Sequence, residues 1–83
     1  MRLPIIKALV ESNLDEDYFA ETVDTLLVIT EARGVKDDEI EVIGELISNL
    51  EGAQEVLKDV KYNNTPQKEA LNVFMKRVLN SIS

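Results

Sequence analysis

The chain predicts an all-α fold: three main antiparallel helices in a bundle-like arrangement, with a short N-terminal helix packed across them. Three observations carry this. Leu, Glu, Ala and Lys are abundant while only three glycines and two prolines are present, a composition that favours helix. Apolar residues recur at steps of three and four along most of the chain, which is the spacing of one helical face. Turn-forming residues (Asn13, Gly34, Asn63-Asn64, Pro66) fall between those runs. No repeat, linker or low-complexity stretch interrupts the pattern, so residues 1–83 are expected to form a single compact helical domain.

The first helix is expected at about 4–11. Pro4 suits a first-turn position, because its missing N–H would be unpaired there anyway. Ile5, Ile6, Leu9 and Val10 share one face. A helix this short needs tertiary docking to exist.

Asn13 or Asp15 can cap the second helix, at about 16–32. The acidic residues 15–17 stand where the helix dipole favours negative charge. Phe19, Val23, Leu26, Leu27 and Thr30 form its main stripe. Tyr18, Val28 and Ile29 widen that stripe enough to predict neighbours on two sides. Gly34 supplies a left-handed stop.

The long helix, at about 38–61, spans about 36 Å at 1.5 Å per residue, and the other elements are shorter. Ile43, Leu46, Ile47, Leu50, Ala53, Leu57 and Val60 give it a broad apolar face with the alternating spacing of a bundle seam. Asn63 or Asn64 ends it in a left-handed conformation. Thr65-Pro66 opens the last helix, at about 66–80, as N-cap and first-turn proline. Leu71, Phe74, Met75, Val78 and Ile82 lie on one face of it.

Composition excludes much chemistry. There is no cysteine and no histidine, which removes disulfides, thiol nucleophiles, Cys/His zinc sites and the imidazole base. Net charge is −7 and unevenly placed: residues 1–57 carry 4 basic and 14 acidic side chains, residues 58–83 carry 5 and 2. An acidic balance argues against nucleic acid and anionic membranes as partners. The asymmetry is suited to steering an antiparallel or head-to-tail contact. No stretch is long enough to span a bilayer, and the first ten residues have too short an apolar run for a signal peptide. A cytoplasmic protein is expected.

Gly44, Ser48 and Gly52 form the candidate site, a helix-contact strip of small side chains at four-residue steps. Each glycine in a helix interior costs about 1 kcal/mol relative to alanine. Close approach of another backbone would account for two of them. The strip lies roughly opposite the apolar face, among Glu41, Glu45, Glu55 and Asp59, so a neighbour there would be the short first helix or another chain. Exposure to solvent is the alternative.

Asn13, Asp15, Asp17 and Asp24 resemble part of a calcium loop, but Tyr18 stands where such a loop needs glycine and Asp24 where it needs a bidentate Glu. Helix capping explains these residues better, and no metal or cofactor is expected. The three glycines are too far apart for a phosphate loop. Nothing places two carboxylates in an apolar pocket, so no enzyme activity is expected. Lys58, Lys61, Lys68, Lys76 and Arg77 are either a patch for an acidic partner or, in the case of Lys58 and Lys61, the complement of a helix C-terminus.

Leu3-Pro4-Ile5-Ile6-Lys7, Asp15-Glu16-Asp17-Tyr18, Val42-Ile43-Gly44-Glu45-Leu46-Ile47-Ser48-Asn49, Lys68-Glu69-Ala70-Leu71-Asn72 and Phe74-Met75-Lys76-Arg77-Val78-Leu79 resemble a family of short all-helical proteins of flavobacteria and related Bacteroidetes. That family forms a domain of unknown function. The resemblance covers nearly the whole chain and departs at Asn63-Asn64 and around Ala32-Arg33-Gly34. It implies a bacterial, cytoplasmic protein and carries over no functional residue. It also suggests gene neighbours that encode thioredoxin and peroxiredoxin, with which a chain lacking cysteine could act only as a partner. The expected role is a non-catalytic interaction protein forming a homodimer. The alternative is an adaptor or regulator that docks on another protein, such as a redox enzyme, through its acidic N-terminal half.

Overall fold

Helix α3 (Asp37–Asn63) is the spine on which the other helices are placed. The computed structural model describes the backbone of residues 1–82 and the side chains of residues 1–80. It contains α1 (Leu3–Val10), α2 (Glu16–Thr30), α3 and α4 (Gln67–Ile82). The all-α expectation therefore holds, with four helices and boundaries within two residues of those expected. The side chain of Ile82 lies outside the described residues.

Local chemistry sets each boundary. The Asp15 carboxylate accepts the Tyr18 N–H at 2.8 Å, which satisfies one of the free donors of the first turn of α2. Asp15 is thus the cap, while Asn13 takes a left-handed φ of 67° in the α1–α2 turn. Helix α2 ends at Thr30, sooner than expected, and Gly34, with φ of 86°, turns the chain in the following loop instead of capping the helix. Lys36 N–H donates to Glu39 Oε1 at 3.0 Å at the start of α3. Asn64, with φ 53° and ψ 28°, closes α3 in the left-handed conformation glycine usually adopts. Thr65 does not cap α4: its hydroxyl donates back to Asp59 Oδ1 at 3.1 Å, and Ala70 N–H bonds the Pro66 carbonyl.

Long-range contacts fix the directions. Glu16, at the start of α2, pairs with Lys61, near the end of α3, so these helices are antiparallel. Thr65 bonds Asp59 and Arg77 pairs with Glu55, so α4 also runs antiparallel to α3. Helix α1 is parallel to it: Arg2 meets Glu45 and Asn49, and Ile6 meets Gly52. Ile6, Phe19, Ala53, Val56 and Phe74 are the centre of the core.

One packing expectation is corrected. Among the described residues α2 packs on α3 alone, and α2 and α4 do not meet. Tyr18, Leu27, Val28 and Ile29 are exposed, Val28 at 70%. The wide apolar arc predicts neighbours on two sides of α2, but among the described residues no helix supplies the second, because α1 and α4 pack together on other faces of α3. Leu46 is likewise exposed although it belongs to the apolar seam of α3. The line Val42–Leu46–Asn49–Ala53–Val56 is continuous on a helix, but α1 begins only at the level of Asn49, so Val42 and Leu46 project beyond it.

The molecule measures 43 × 31 × 17 Å, with a radius of gyration of 13.8 Å. A compact chain of this length is expected at about 12 Å. The excess reflects the α2–α3 half, which is only two helices thick.

Candidate functional site

The Gly44–Ser48–Gly52 strip divides along its length. Gly52 is buried, and a Cβ built on it would stand 2.8 Å from Ile6 Cδ1 and 3.2 Å from Phe74 Cζ. There α1 and α4 close on α3, and the missing side chain gives them room. Ser48 is half-buried. Gly44 has nothing within 4 Å of a built Cβ among the described residues and is exposed.

Beside Gly52 lies Asn49, which is buried. Its Oδ1 accepts the Arg2 N–H at 2.6 Å and so satisfies a free donor at the start of α1. A polar side chain in an apolar seam favours one register, since sliding α1 would orphan both groups. The pattern of apolar spacing passes over Asn49. Its place between Leu46 and Ala53 on the seam is the signal that could have found it.

Glu16 is also missed by pattern, because as a first-turn acid it looks like a helix-dipole residue. Its side chain is only 7% exposed. Lys61 Nζ stands 3.0 Å from Glu16 Oε1 in an ion pair, and both carboxylate oxygens are buried. The pair borders a pocket of about 310 Å³ between the α1–α2 turn and the ends of α3 and α4, where Val10, Leu14 and Leu57 supply apolar walls. Both carboxylate oxygens are shielded from that space, so the pair serves to tie α2 to α3.

The Glu16 carboxylate beside Lys61, assisted by Tyr62 and Asp17, holds the Lys61 ammonium above its ordinary value of 10.5. A raised folded-state value stabilises the fold fully below the ordinary value and is lost as pH climbs through the raised one. The denaturant midpoint of the wild type should therefore fall more steeply above pH 10.5 than that of Glu16→Gln. Parallel slopes for the two proteins would remove Glu16 as the cause.

Of the residues that resemble a calcium loop, Asp15 caps α2, and among the described residues no group of three or more Asp or Glu is close enough to hold a metal ion. No described helix is long and apolar enough to cross a membrane.

The remaining candidate is a surface. At steps of three and four, Ile40, Gly44, Ile47, Glu51, Glu55, Lys58 and Tyr62 form one stripe along the outside of α3. Ile47 is half-buried and the rest are exposed, Tyr62 at 67%. One flank of the stripe leads to α4 through the Glu55–Arg77 ion pair and a groove of about 400 Å³ shared with Val73 and Phe74. At its middle is a shallow depression of about 250 Å³ lined by Glu51, Gln54, Glu55 and Lys58. Such a surface can hold a complementary face, and it positions no nucleophile or acid–base pair.

Compared with known proteins, the chain matches over residues 1–83 the model described as Family of unknown function (DUF6952). No curated protein and no solved structure matches it.

Proposed function

The chain belongs to DUF6952, a family of unknown function, and we propose that it is a non-catalytic interaction protein that works as a homodimer. The observation that carries this is the one-sided packing of α2. A helix with a broad apolar arc touches only α3, and Leu27, Val28 and Ile29 on it, with Ile40, Val42 and Leu46 on α3, stay exposed. Apolar surface gathered at one end of a small chain marks an interaction site. Covering it would contribute about 25 cal/mol for each Å² removed from water. A second copy is always present at the concentration of the first and needs no separate partner. The resemblance to bacterial proteins supports a cytoplasmic setting.

Absolute mass by light scattering behind a sizing column, over a range of concentrations, tests the proposal. The expected result is twice the chain mass of 9.4 kDa. A persistent monomer at high micromolar concentration overturns it.

A second reading, an adaptor or regulator docking on another protein such as a redox enzyme, draws support from α2, which has four carboxylates and no basic residue. It expects a monomer whose capture of that enzyme is lost at high salt. Capture unaffected by salt would remove the charged route.

A further inference from the structure

We propose that the exposed apolar patch where α2 ends and α3 begins is the docking site of a cationic amphipathic helix from another protein. The inference rests on the exposed surface that carries the homodimer reading, and it gives the adaptor reading a partner chemistry. Helices α2 and α3 are antiparallel and joined by residues 31–36, so the end of one and the start of the other lie together. Leu27, Val28 and Ile29 of α2 and Ile40, Val42 and Leu46 of α3 are exposed at this end. Among the described residues α2 meets α3 alone, and α1 begins only at the level of Asn49.

The charge of the chain is concentrated at the same end. Residues 21–45 carry 8 acidic and 2 basic side chains, and the rest of the chain carries 8 and 7. The balance is −6 against −1, so most of the net charge of −7 belongs to the segment that bears the patch. Helical neighbours, three and four residues away, place these acids at its rim. Around Val42 they are Asp38, Glu39, Glu45 and Leu46, and around Val28 they include Asp24 and Glu31. Glu45 is paired with Arg2, and the only cations of residues 21–45 are Arg33 and Lys36 in the connecting loop. A surface apolar at its centre and anionic at its rim is complementary to a helix with one apolar stripe flanked by lysine or arginine. A second copy presents the same acids, so contact of this end with itself gains apolar burial against like-charge repulsion. A cationic helix gains comparable burial with attraction, and it therefore displaces the second copy.

The probe is a synthetic amphipathic helix of leucine and lysine, about fourteen residues and so roughly 21 Å long, titrated into the full chain. Fluorescence anisotropy of the labelled probe reads affinity, and light scattering reads mass. The expected result is a one-to-one complex in place of the dimer, weakening as salt rises. Asp24→Lys with Glu31→Lys should weaken binding by about tenfold, and Val42→Ser with Leu46→Ser should weaken both binding and dimerisation. These four residues are exposed, so the helical circular dichroism of both variants should match that of the wild type. Glu11→Lys with Glu69→Lys changes the net charge equally at the opposite end of the molecule, where α1 stops and α4 starts. That pair should alter affinity by less than about threefold. The docking site is overturned if the lysine helix does not bind, if the remote pair weakens it as much as the patch pair, or if an analogue with glutamate for lysine binds equally well. A dimer left intact by saturating probe overturns it too, while the homodimer reading stands. A monomeric wild type that binds the probe through these residues removes the homodimer and supports the docking site.

Discussion

Gly52→Leu should cost about 3 kcal/mol of stability, the upper range for forcing extra carbons into a packed core. The first added atom alone would stand 2.8 Å from Ile6 Cδ1 and 3.2 Å from Phe74 Cζ. Ile6 has no exposed surface and Phe74 is buried, so neither can simply swing into water. Relief must come from lifting α1 off α3, which would also break the Asn49 bond to the Arg2 amide. Leucine has the better helix propensity by about 0.8 kcal/mol, too little to offset the clash. In a domain of this size the loss corresponds to a melting temperature lower by roughly 12 to 24 °C. Thermal unfolding followed by circular dichroism checks it. A variant as stable as the wild type would mean that α1 does not sit where described. Gly52→Ala is a closer contest, since one methyl gains propensity and displaces only the end of the Ile6 side chain.

Phe19→Ala should have the second large effect, about 4 kcal/mol, within the range for truncating a buried aromatic. Phe19 is 1% exposed and is the largest fully buried side chain. Its consequence is local because, among the described residues, α2 leans on α3 alone. Losing Phe19 leaves Val23, the half-buried Leu26 and the Glu16–Lys61 pair to hold α2. Urea unfolding should show a lower midpoint, with helix signal already lost before the main transition as α2 detaches. A single transition displaced by less than about 1 kcal/mol would contradict the assigned role of Phe19.

Most of the fold was legible because local rules and the global pattern agreed. Asp15 caps, Asn64 turns left-handed, and the seam through Leu50 and Ala53 is buried. The departures have a common physical origin. Apolar spacing shows that a side chain wants cover, without showing that the chain can provide it. Thus Val28 and Leu46 looked internal and are exposed. The same rule misses polar residues buried for a specific partner. Glu16 and Asn49 look like surface residues until Lys61 and the Arg2 amide are placed beside them. For the glycine strip, spacing alone could not separate Gly52, which admits α1 and α4, from Gly44, where a built Cβ would have nothing within 4 Å among the described residues. The difference depends on where two remote helices land.

The docking of α1 has a bearing on how the protein is made. This helix is synthesised before the other three, yet its seat is assembled from Asn49, Gly52 and Phe74. At ordinary synthesis rates of about 5–20 residues per second, roughly 3 to 14 seconds pass between Ile6 and Phe74. Throughout that interval Ile6 and Val10 are an apolar pair on a segment too short to hold helix by itself. Helix α1 is therefore made before every part of its seat, and its docking waits at least until Asn49 and Gly52 of α3 have been added.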